Sequence, residues 1–82
     1  MQKIYCLSDL LPGQRATVYQ ILSKGEMKRR LQDLGFVSGS DITCVFFASK
    51  NDPVAYRIRG TLLALRKTDA KNILVKKRRE SR

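Results

Sequence analysis

The stretch that decides the fold is Met27-Lys28-Arg29-Arg30-Leu31-Gln32-Asp33-Leu34-Gly35-Phe36-Val37-Ser38-Gly39. Its apolar residues Met27, Leu31 and Leu34 stand at i, i+4 and i+7, the spacing that places side chains on one face of an α-helix. Gly35 follows the last of them, where a helix commonly ends on a residue in the left-handed conformation. An apolar run at 42–47 comes soon afterwards. The stretch therefore predicts a short helix near residues 25–34 that turns directly into a strand.

Runs of β-branched, aromatic and alternating residues predict strands on both sides of this helix. They lie at 15–22, 42–47, 54–59, 61–65 and 73–75. Residues 4–7 fit either a short strand or an extended lead-in. Single helical turns are expected at 8–11 and 68–72, and the spacing of Ser23 and Glu26 predicts a capping box and a helix start near residue 24. About five short strands with turns between them predict a mainly β fold, a small barrel whose closure removes exposed edges.

The predicted core combines one face of the helix with one face of each strand. Tyr56 alternates in step with Val54 and Ile58, so its ring is expected inside, and Arg57 and Arg59 then point outward. The side chains expected in the core are Met27, Leu31, Leu34, Val45, Phe47, Ile58, Leu63, Leu65 and Ile73.

The charge of the chain is strongly positive and unevenly placed. The 82 residues carry a net charge of +10, and residues 76–82 hold five basic residues, one acidic residue and none that is apolar. We expect one small domain over residues 1–75 and a basic, disordered tail over 76–82. Such a balance favours acidic partners, whether nucleic acid, anionic lipid headgroups or an acidic protein surface.

Residues suited to catalysis or metal binding are sparse. The chain has no histidine and no G-x-x-x-x-G-K phosphate loop, and its carboxylates stand at positions that turns and helix caps explain. Cys6 and Cys44 lie far apart in apolar runs, where a reduced, buried thiol is expected. We therefore predict that the protein is not an enzyme and that it has no catalytic, cofactor-binding or metal-binding residues. No run approaches the ~18–20 apolar residues of a membrane helix, and no signal peptide is evident, so a cytoplasmic location is expected.

Several short motifs follow one another in a fixed order along residues 4–75. They are Leu7-Ser8-Asp9-Leu10 with Pro12-Gly13, Arg30-Leu31-x-x-Leu34-Gly35-x-x-x-Gly39, Asp52-Pro53, Arg59-Gly60, and Ala64-Leu65-Arg66 with Ala70 and 73–75. Taken together, they resemble the FeoA-type domains of bacterial ferrous iron transport. The motif positions for which the resemblance implies a structural role are Arg30, Leu31, Leu34, Gly35, Gly39, Asp52, Pro53, Gly60, Leu65, Arg66 and Ala70.

The resemblance implies an SH3-like β-barrel with one helix. It also implies an accessory protein that acts by protein–protein contact on FeoB, the membrane ferrous iron transporter with a GTPase domain. Fe(II) would then be handled by the partner, although transition-metal binding is associated with the family as a whole. The chain would be cytoplasmic and recruited to the inner face of the membrane by this partner. Stimulation of GTP hydrolysis, stabilisation of an assembly and simple tethering are all compatible with the sequence.

Two surfaces are candidates for contact with a partner. The exposed face of the predicted helix, formed by Lys28, Arg29 and Gln32, is the candidate partner-binding surface. The basic tail is expected near anionic lipid headgroups, where each positive charge contributes about 1 kcal/mol.

The alternative is a small basic barrel that binds single-stranded nucleic acid. Such barrels stack bases on exposed aromatic rings that lie among basic side chains. The sequence disfavours this interpretation because alternation places Tyr56 inside. Exposure of Tyr5, Tyr19 and Tyr56 on one surface would favour it.

Overall fold

The computed structural model of this chain describes residues 3–47 and 52–77. Its strands are β1 (Ile4–Cys6), β2 (Arg15–Ile21), β3 (Asp41–Phe47), β4 (Val54–Ile58), β5 (Thr61–Leu65) and β6 (Ile73–Lys77). Helix α1 (Gly25–Asp33) joins β2 to β3, a 3₁₀ turn (Leu7–Asp9) follows β1, and the short helix α2 (Lys67–Ala70) precedes β6. Neither these helices nor the 3₁₀ turn has the length and apolar character needed to cross a membrane.

The six strands form one antiparallel sheet in the order β1-β6-β2-β3-β4-β5. The strand beyond the predicted five is β1, whose three residues pair with 74–76 of β6. Strands β1 and β5 lie at the two ends of this order, so the expected barrel closure is not made by a backbone ladder within the described residues. The gap is instead bridged by the packing of α2 near the 3₁₀ turn and by the Tyr56 hydroxyl, which donates to the Leu7 carbonyl at 3.4 Å.

The core confirms most of the predicted side chains. Those that are buried are Leu31, Ile58, Leu65 and Ile73, while Met27 and Leu63 are half-buried and pack against the cluster. The inward position of Tyr56 is also confirmed, since its side chain is fully buried.

The predicted core face of β3 is wrong. Ile42 and Cys44 are fully buried, whereas Val45 is only half-buried and Phe46 is half exposed. A register shift against β4 falls between Cys44 and Phe46, and a bulge of this kind leaves one residue unpaired and redirects its side chain. The side chain of Phe47 lies outside the described part of the chain.

The boundary predicted for the basic tail is two residues too early. Strand β6 continues through Lys76 and Lys77, which face Thr17 and Ala16 of β2. These lysines therefore belong to the folded sheet. Residues 78–82 lie outside the described residues, so disorder there stays a prediction.

The start of α1 agrees with the predicted position but not with the predicted cap. The N-cap residue is Lys24, and no side chain caps the first turn. Ser23 precedes the N-cap, and Glu26 is the second helical residue rather than the third, so the two side chains are out of register for a capping box. Glu26 still lies in the first turn, where a negative charge favours the helix dipole.

Candidate docking surface

Helix α1 ends in a hydrogen-bonding pattern that moves Phe36 into the core. The Phe36 amide donates to the Leu31 carbonyl at 2.9 Å, and the Gly35 amide donates to the Gln32 carbonyl at 3.0 Å. These two bonds, with φ of 110° at Gly35, form a Schellman motif. Phe36 is fully buried, whereas Leu34, which was predicted in the core, is 40% exposed. Phe36, which follows Gly35, therefore occupies the core position that was predicted for Leu34, which precedes Gly35.

The end of α1 is covered by an arginine from the β4–β5 turn. Ile58 pairs with Thr61, so Arg59 and Gly60 form a two-residue turn in which both have positive φ, 53° and 77°. The aliphatic stem of Arg59 lies against Gly35, so that a Cβ built on this glycine would stand 2.7 Å from the Arg59 Cδ. A glycine is therefore required at position 35 for two reasons: the backbone has a positive φ, and the Arg59 stem occupies the space that a Cβ would need.

A groove runs between α1 and the edge strand β5, and we call it the α1–β5 groove. Its volume is about 310 Å³, and it is lined by Met27, Arg30, Leu31, Leu34, Leu63, Ala64, Leu65, Arg66 and Asp69. The floor is apolar, and the exposed arginines Arg30 and Arg66 give it two cationic groups against the single carboxylate of Asp69. Such a groove suits an apolar segment of a partner that carries negative charge.

Strand β5 adds an open edge to this groove. It pairs with β4 on one side and has no strand on its other side within the described residues. Residues 61–65 contain no charged residue and no proline, the features that commonly protect an edge strand from pairing. Leu62, on the outer face of the same strand, is 50% exposed. An unprotected apolar edge is a feature of interaction surfaces as well as of aggregation-prone ones.

The helix residues predicted to bind a partner do not line the α1–β5 groove. Lys28 and Gln32 face β2 and line a second groove of about 220 Å³ beside Tyr19. Arg29 is exposed and lines neither groove. Helical spacing indicated exposed positions on α1, but it did not indicate Arg30, which was given a structural role as a motif residue, or Leu34, which was assigned to the core.

Asp52, from the motif Asp52-Pro53, stabilises α2. Its Oδ1 atom accepts a hydrogen bond from the Lys67 amide at 3.0 Å. Lys67 is the first residue of α2, whose own N-cap side chain makes no such bond. A carboxylate at this position replaces a local cap and favours the helix dipole. Since α2 contributes Ala70 to the core and Asp69 to the α1–β5 groove, Asp52 helps to fix one wall of the groove.

Among the described residues, the thiols and carboxylates do not converge on a metal site. In residues 3–47 and 52–77, no group of three or more Cys, Asp or Glu side chains is arranged to hold a metal ion. Cys44 is fully buried, and burial raises the pKa of its thiol above the ordinary value, so the thiol keeps its proton at neutral pH. A protonated thiol is a poor ligand, because metals bind the thiolate. Cys6 is a free, half-buried thiol.

The tyrosines do not form one stacking surface. Tyr56 is fully buried, and burial, with a smaller effect of Cys44, raises the pKa of its phenol above the ordinary value. Tyr5 is half-buried and packs against the core, and Tyr19 is 43% exposed. The sequence would favour a nucleic-acid-binding barrel only if all three rings were exposed together. This condition is not met.

Comparison with known proteins identifies the family to which these features belong. The family model described as the FeoA domain matches residues 5–77. A fusion protein of Fe(2+) transport protein A and the Fe(2+) transporter FeoB from Porphyromonas gingivalis is 39% identical over 69 residues, which cover 84% of this chain but only 8% of that protein. The chain thus spans a small part of this relative.

Two solved structures place the fold in the same family. The FeoA-like protein of Clostridium acetobutylicum superposes with a TM-score of 0.86 at 34% identity, covering 100% of this chain and 95% of that one. FeoA of Stenotrophomonas maltophilia, described as a prokaryotic SH3 domain protein and solved with zinc, gives a TM-score of 0.76 at 29% identity, covering 92% and 88%. The predicted SH3-like fold is thereby confirmed.

Proposed function

The chain belongs to the FeoA domain family, which is linked to ferrous iron transport, and we propose that it is a cytoplasmic accessory protein that acts by direct contact on the transporter FeoB. The relative from Porphyromonas gingivalis supports the proposal, because it carries transport protein A and FeoB in one polypeptide. Two domains that occur as a fusion work at the same place and in a fixed ratio. Separate chains with the same task need a binding surface to reach that arrangement.

Helix α1 is the element that we assign to this contact. The observation that carries the assignment is the α1–β5 groove, where the exposed Leu34 lies beside two arginines and an open strand edge. An acidic, partly apolar segment of FeoB fits this chemistry, because its side chains can fill the floor while its carboxylates meet Arg30 and Arg66. Lys28, Arg29 and Gln32, on the other side of the helix, are the second part of the proposed surface.

The test is an NMR titration of the labelled chain with the soluble cytoplasmic GTPase region of FeoB at physiological salt. Shifts are expected along α1 and β5. Leu34→Ser should weaken binding by about tenfold, the loss typical of one buried aliphatic anchor. Leu11→Ser is the matched control, since it removes another exposed leucine, which precedes β2 and lines neither groove. Shifts that avoid both sides of α1, or equal losses from the two substitutions, would rule out this docking surface.

A second titration addresses the nucleic-acid alternative and the mode of action. Single-stranded RNA is expected to give no shifts in the barrel; shifts there that weaken steeply with salt would favour the alternative. Rates of GTP hydrolysis by the transporter region, measured with and without the chain, separate stimulation of hydrolysis from tethering. Under our proposal the Leu34→Ser chain loses whichever effect the unmodified chain produces.

A further inference from the structure

The outer face of strands β1, β6 and β2 carries apolar and basic side chains that lie outside the α1–β5 groove. Ile4 and Thr17 flank Lys76 in one row across these strands, and Leu74 lies in the next row. Ile4 is 42% exposed, while Lys76 and Leu74 are half-buried. Tyr19, at the bulge between the two rows, also points outward. We call this surface the β1–β6–β2 face.

Two lysines of β6 lie over tyrosine rings. The Lys76 Nζ is 4.9 Å from the centre of the Tyr19 ring, and the Lys77 Nζ is 4.3 Å from the centre of the Tyr5 ring. Cation–π contacts of this kind stabilise an ammonium group beside an aromatic ring. The Lys76–Tyr19 pair therefore holds one positive charge and one amphipathic ring on the β1–β6–β2 face. Lys77 and Tyr5 alternate with Lys76 and Ile4, so they lie on the opposite side of the sheet, beside the buried Ala16 and Val75.

The charge of this region continues along the chain. β6 ends at Lys77, and residues 78–82 add three arginines and one glutamate. The nearest carboxylate in the row of Lys76 is that of Asp41, which lies one strand beyond Thr17 on β3. The two residues that flank Lys76 in its row, Ile4 and Thr17, are therefore uncharged.

We propose that the β1–β6–β2 face lies against the surface of a bilayer that contains anionic phospholipid. On this face the Tyr19 ring and the exposed aliphatic side chain of Ile4 would enter the interfacial region, while Lys76 would keep its ammonium group at the level of the phosphates. A bilayer fits better than single-stranded nucleic acid, because base stacking needs a free ring face and aligned aromatics. Here the Lys76 ammonium group covers one face of the Tyr19 ring, and the other exposed apolar side chain of the face, Ile4, is aliphatic.

This inference deepens the proposed function, since an accessory protein of a membrane transporter works within reach of the bilayer. It extends the predicted lipid contact of the basic tail to a folded surface. Each basic residue near an anionic surface strengthens binding about fivefold. Because single contacts of this size are weak, binding is expected to be reversible and to depend on both the charged and the apolar part of the face.

The experiment is co-sedimentation of the full chain with vesicles of phosphatidylcholine, with and without phosphatidylglycerol. Lys76→Gln and Ile4→Ser test the charged and the apolar part of the face. Arg57→Gln and Leu62→Ser are the matched controls, because they remove one charge and one exposed aliphatic side chain from β4 and β5. Thermal melting of each variant shows that the fold is kept. A chain that ends at residue 77 separates the face from the remainder of the tail.

We expect binding only to vesicles with phosphatidylglycerol. Lys76→Gln should weaken it about fivefold, Ile4→Ser should weaken it several-fold, and each control should change it less than about twofold, since a distant exposed charge is screened. The proposal fails if the unmodified chain does not bind, or if the controls reduce binding as much as the face variants. It also fails if removal of 78–82 abolishes binding while both face variants bind normally, or if RNA is bound through Tyr19 and vesicles are not. The titration with the GTPase region contains no bilayer, so either proposal can fail without the other.

Discussion

Replacement of Gly35 by alanine tests how α1 ends against the β4–β5 turn. The backbone at this residue has φ of 110°, a region that disfavours residues with a Cβ. The new Cβ would also stand 2.7 Å from the Arg59 Cδ and 3.2 Å from its Cγ. These atoms belong to the middle of a long side chain, which can move only by leaving its present rotamer.

The expected cost combines two contributions. Left-handed backbone costs an alanine about 1–2 kcal/mol, and displacement of the Arg59 stem adds about 1 kcal/mol. Gly35→Ala should therefore lower the free energy of unfolding by about 2–3 kcal/mol. Gly39→Ala is the matched control, because Gly39 has φ of 94° and a Cβ at this residue would meet no atom within 4 Å. It should show the backbone contribution alone, about 1–2 kcal/mol.

Urea unfolding of a double-mutant cycle separates the two contributions. Arg59→Ala removes the Cγ and Cδ that a methyl group at position 35 would meet. In that background Gly35→Ala should cost about 1 kcal/mol less than in the unmodified chain, a coupling large enough to measure between neighbours. Additive effects of the two substitutions, or equal costs for Gly35→Ala and Gly39→Ala, would refute the idea that the Arg59 stem requires a glycine at this position.

Three further predictions concern the helices and the thiol. Leu31→Ala should cost about 2–5 kcal/mol in urea unfolding, because the side chain is fully buried, whereas Leu34→Ala should cost less than about 1 kcal/mol; similar costs would contradict the observed end of α1. Asp52→Ala should cost about 1 kcal/mol and weaken hydrogen-exchange protection of the Lys67 amide, and unchanged protection would argue against the cap. Burial raises the pKa of Cys44 above 9.0, so the folded chain keeps a proton that the unfolded chain loses. The protonated thiol of Cys44 contributes fully to stability below pH 9, and this contribution is lost as the pH rises through the folded pKa. Cys44→Ala should therefore make the fall of the free energy of unfolding at alkaline pH less steep. An unchanged dependence of that free energy on pH would be inconsistent with a buried neutral thiol.

The sequence predicted the elements whose signals are local. The i, i+4, i+7 spacing and the glycine after Leu34 place α1 and its end correctly, because a helix and its C-cap depend on consecutive residues. Gly60 likewise separates β4 from β5 as predicted, although Arg59, which was predicted to be the last residue of the strand, belongs to the turn as well. The alternation in β4 places Tyr56 inside, since this strand has a regular register with β5.

The errors arise where the outcome depends on residues distant in sequence. Val45 was assigned to the core, but Ile42 and Cys44 are the residues that face inward, and the register shift after Cys44 then turns Phe46 outward. Helical spacing assigned Leu34 to the core, although the Schellman motif turns the chain before its side chain can be covered. A local signal was available, since the residue after a C-terminal glycine commonly packs back on the last helical turn. That rule identifies Phe36, rather than Leu34, as the residue that packs into the core.

The α1–β5 groove could not be predicted in the same way. Its helical wall and its strand wall are about thirty residues apart in the sequence, and nothing in either run indicates that they lie side by side. The sequence identified Arg30 and Arg66 as motif residues with structural roles. Their exposure at one groove follows only from the sheet order, which leaves β5 at an edge.

The fused relative suggests a final test that separates the two proposed surfaces. A covalent link to the transporter keeps the domain at a high effective concentration, about millimolar for a short flexible linker. A lipid contact that serves mainly to concentrate the chain near its partner becomes unnecessary once the link is present, whereas a contact that acts on the partner does not. In cells that depend on FeoB for Fe(II) uptake, the defect of Lys76→Gln should therefore be rescued by fusing this chain to the transporter. The defect of Leu34→Ser should be reduced but should persist. Full rescue of Leu34→Ser would show that the α1–β5 groove also serves only to recruit the chain, and failure to rescue Lys76→Gln would give the β1–β6–β2 face a role beyond recruitment.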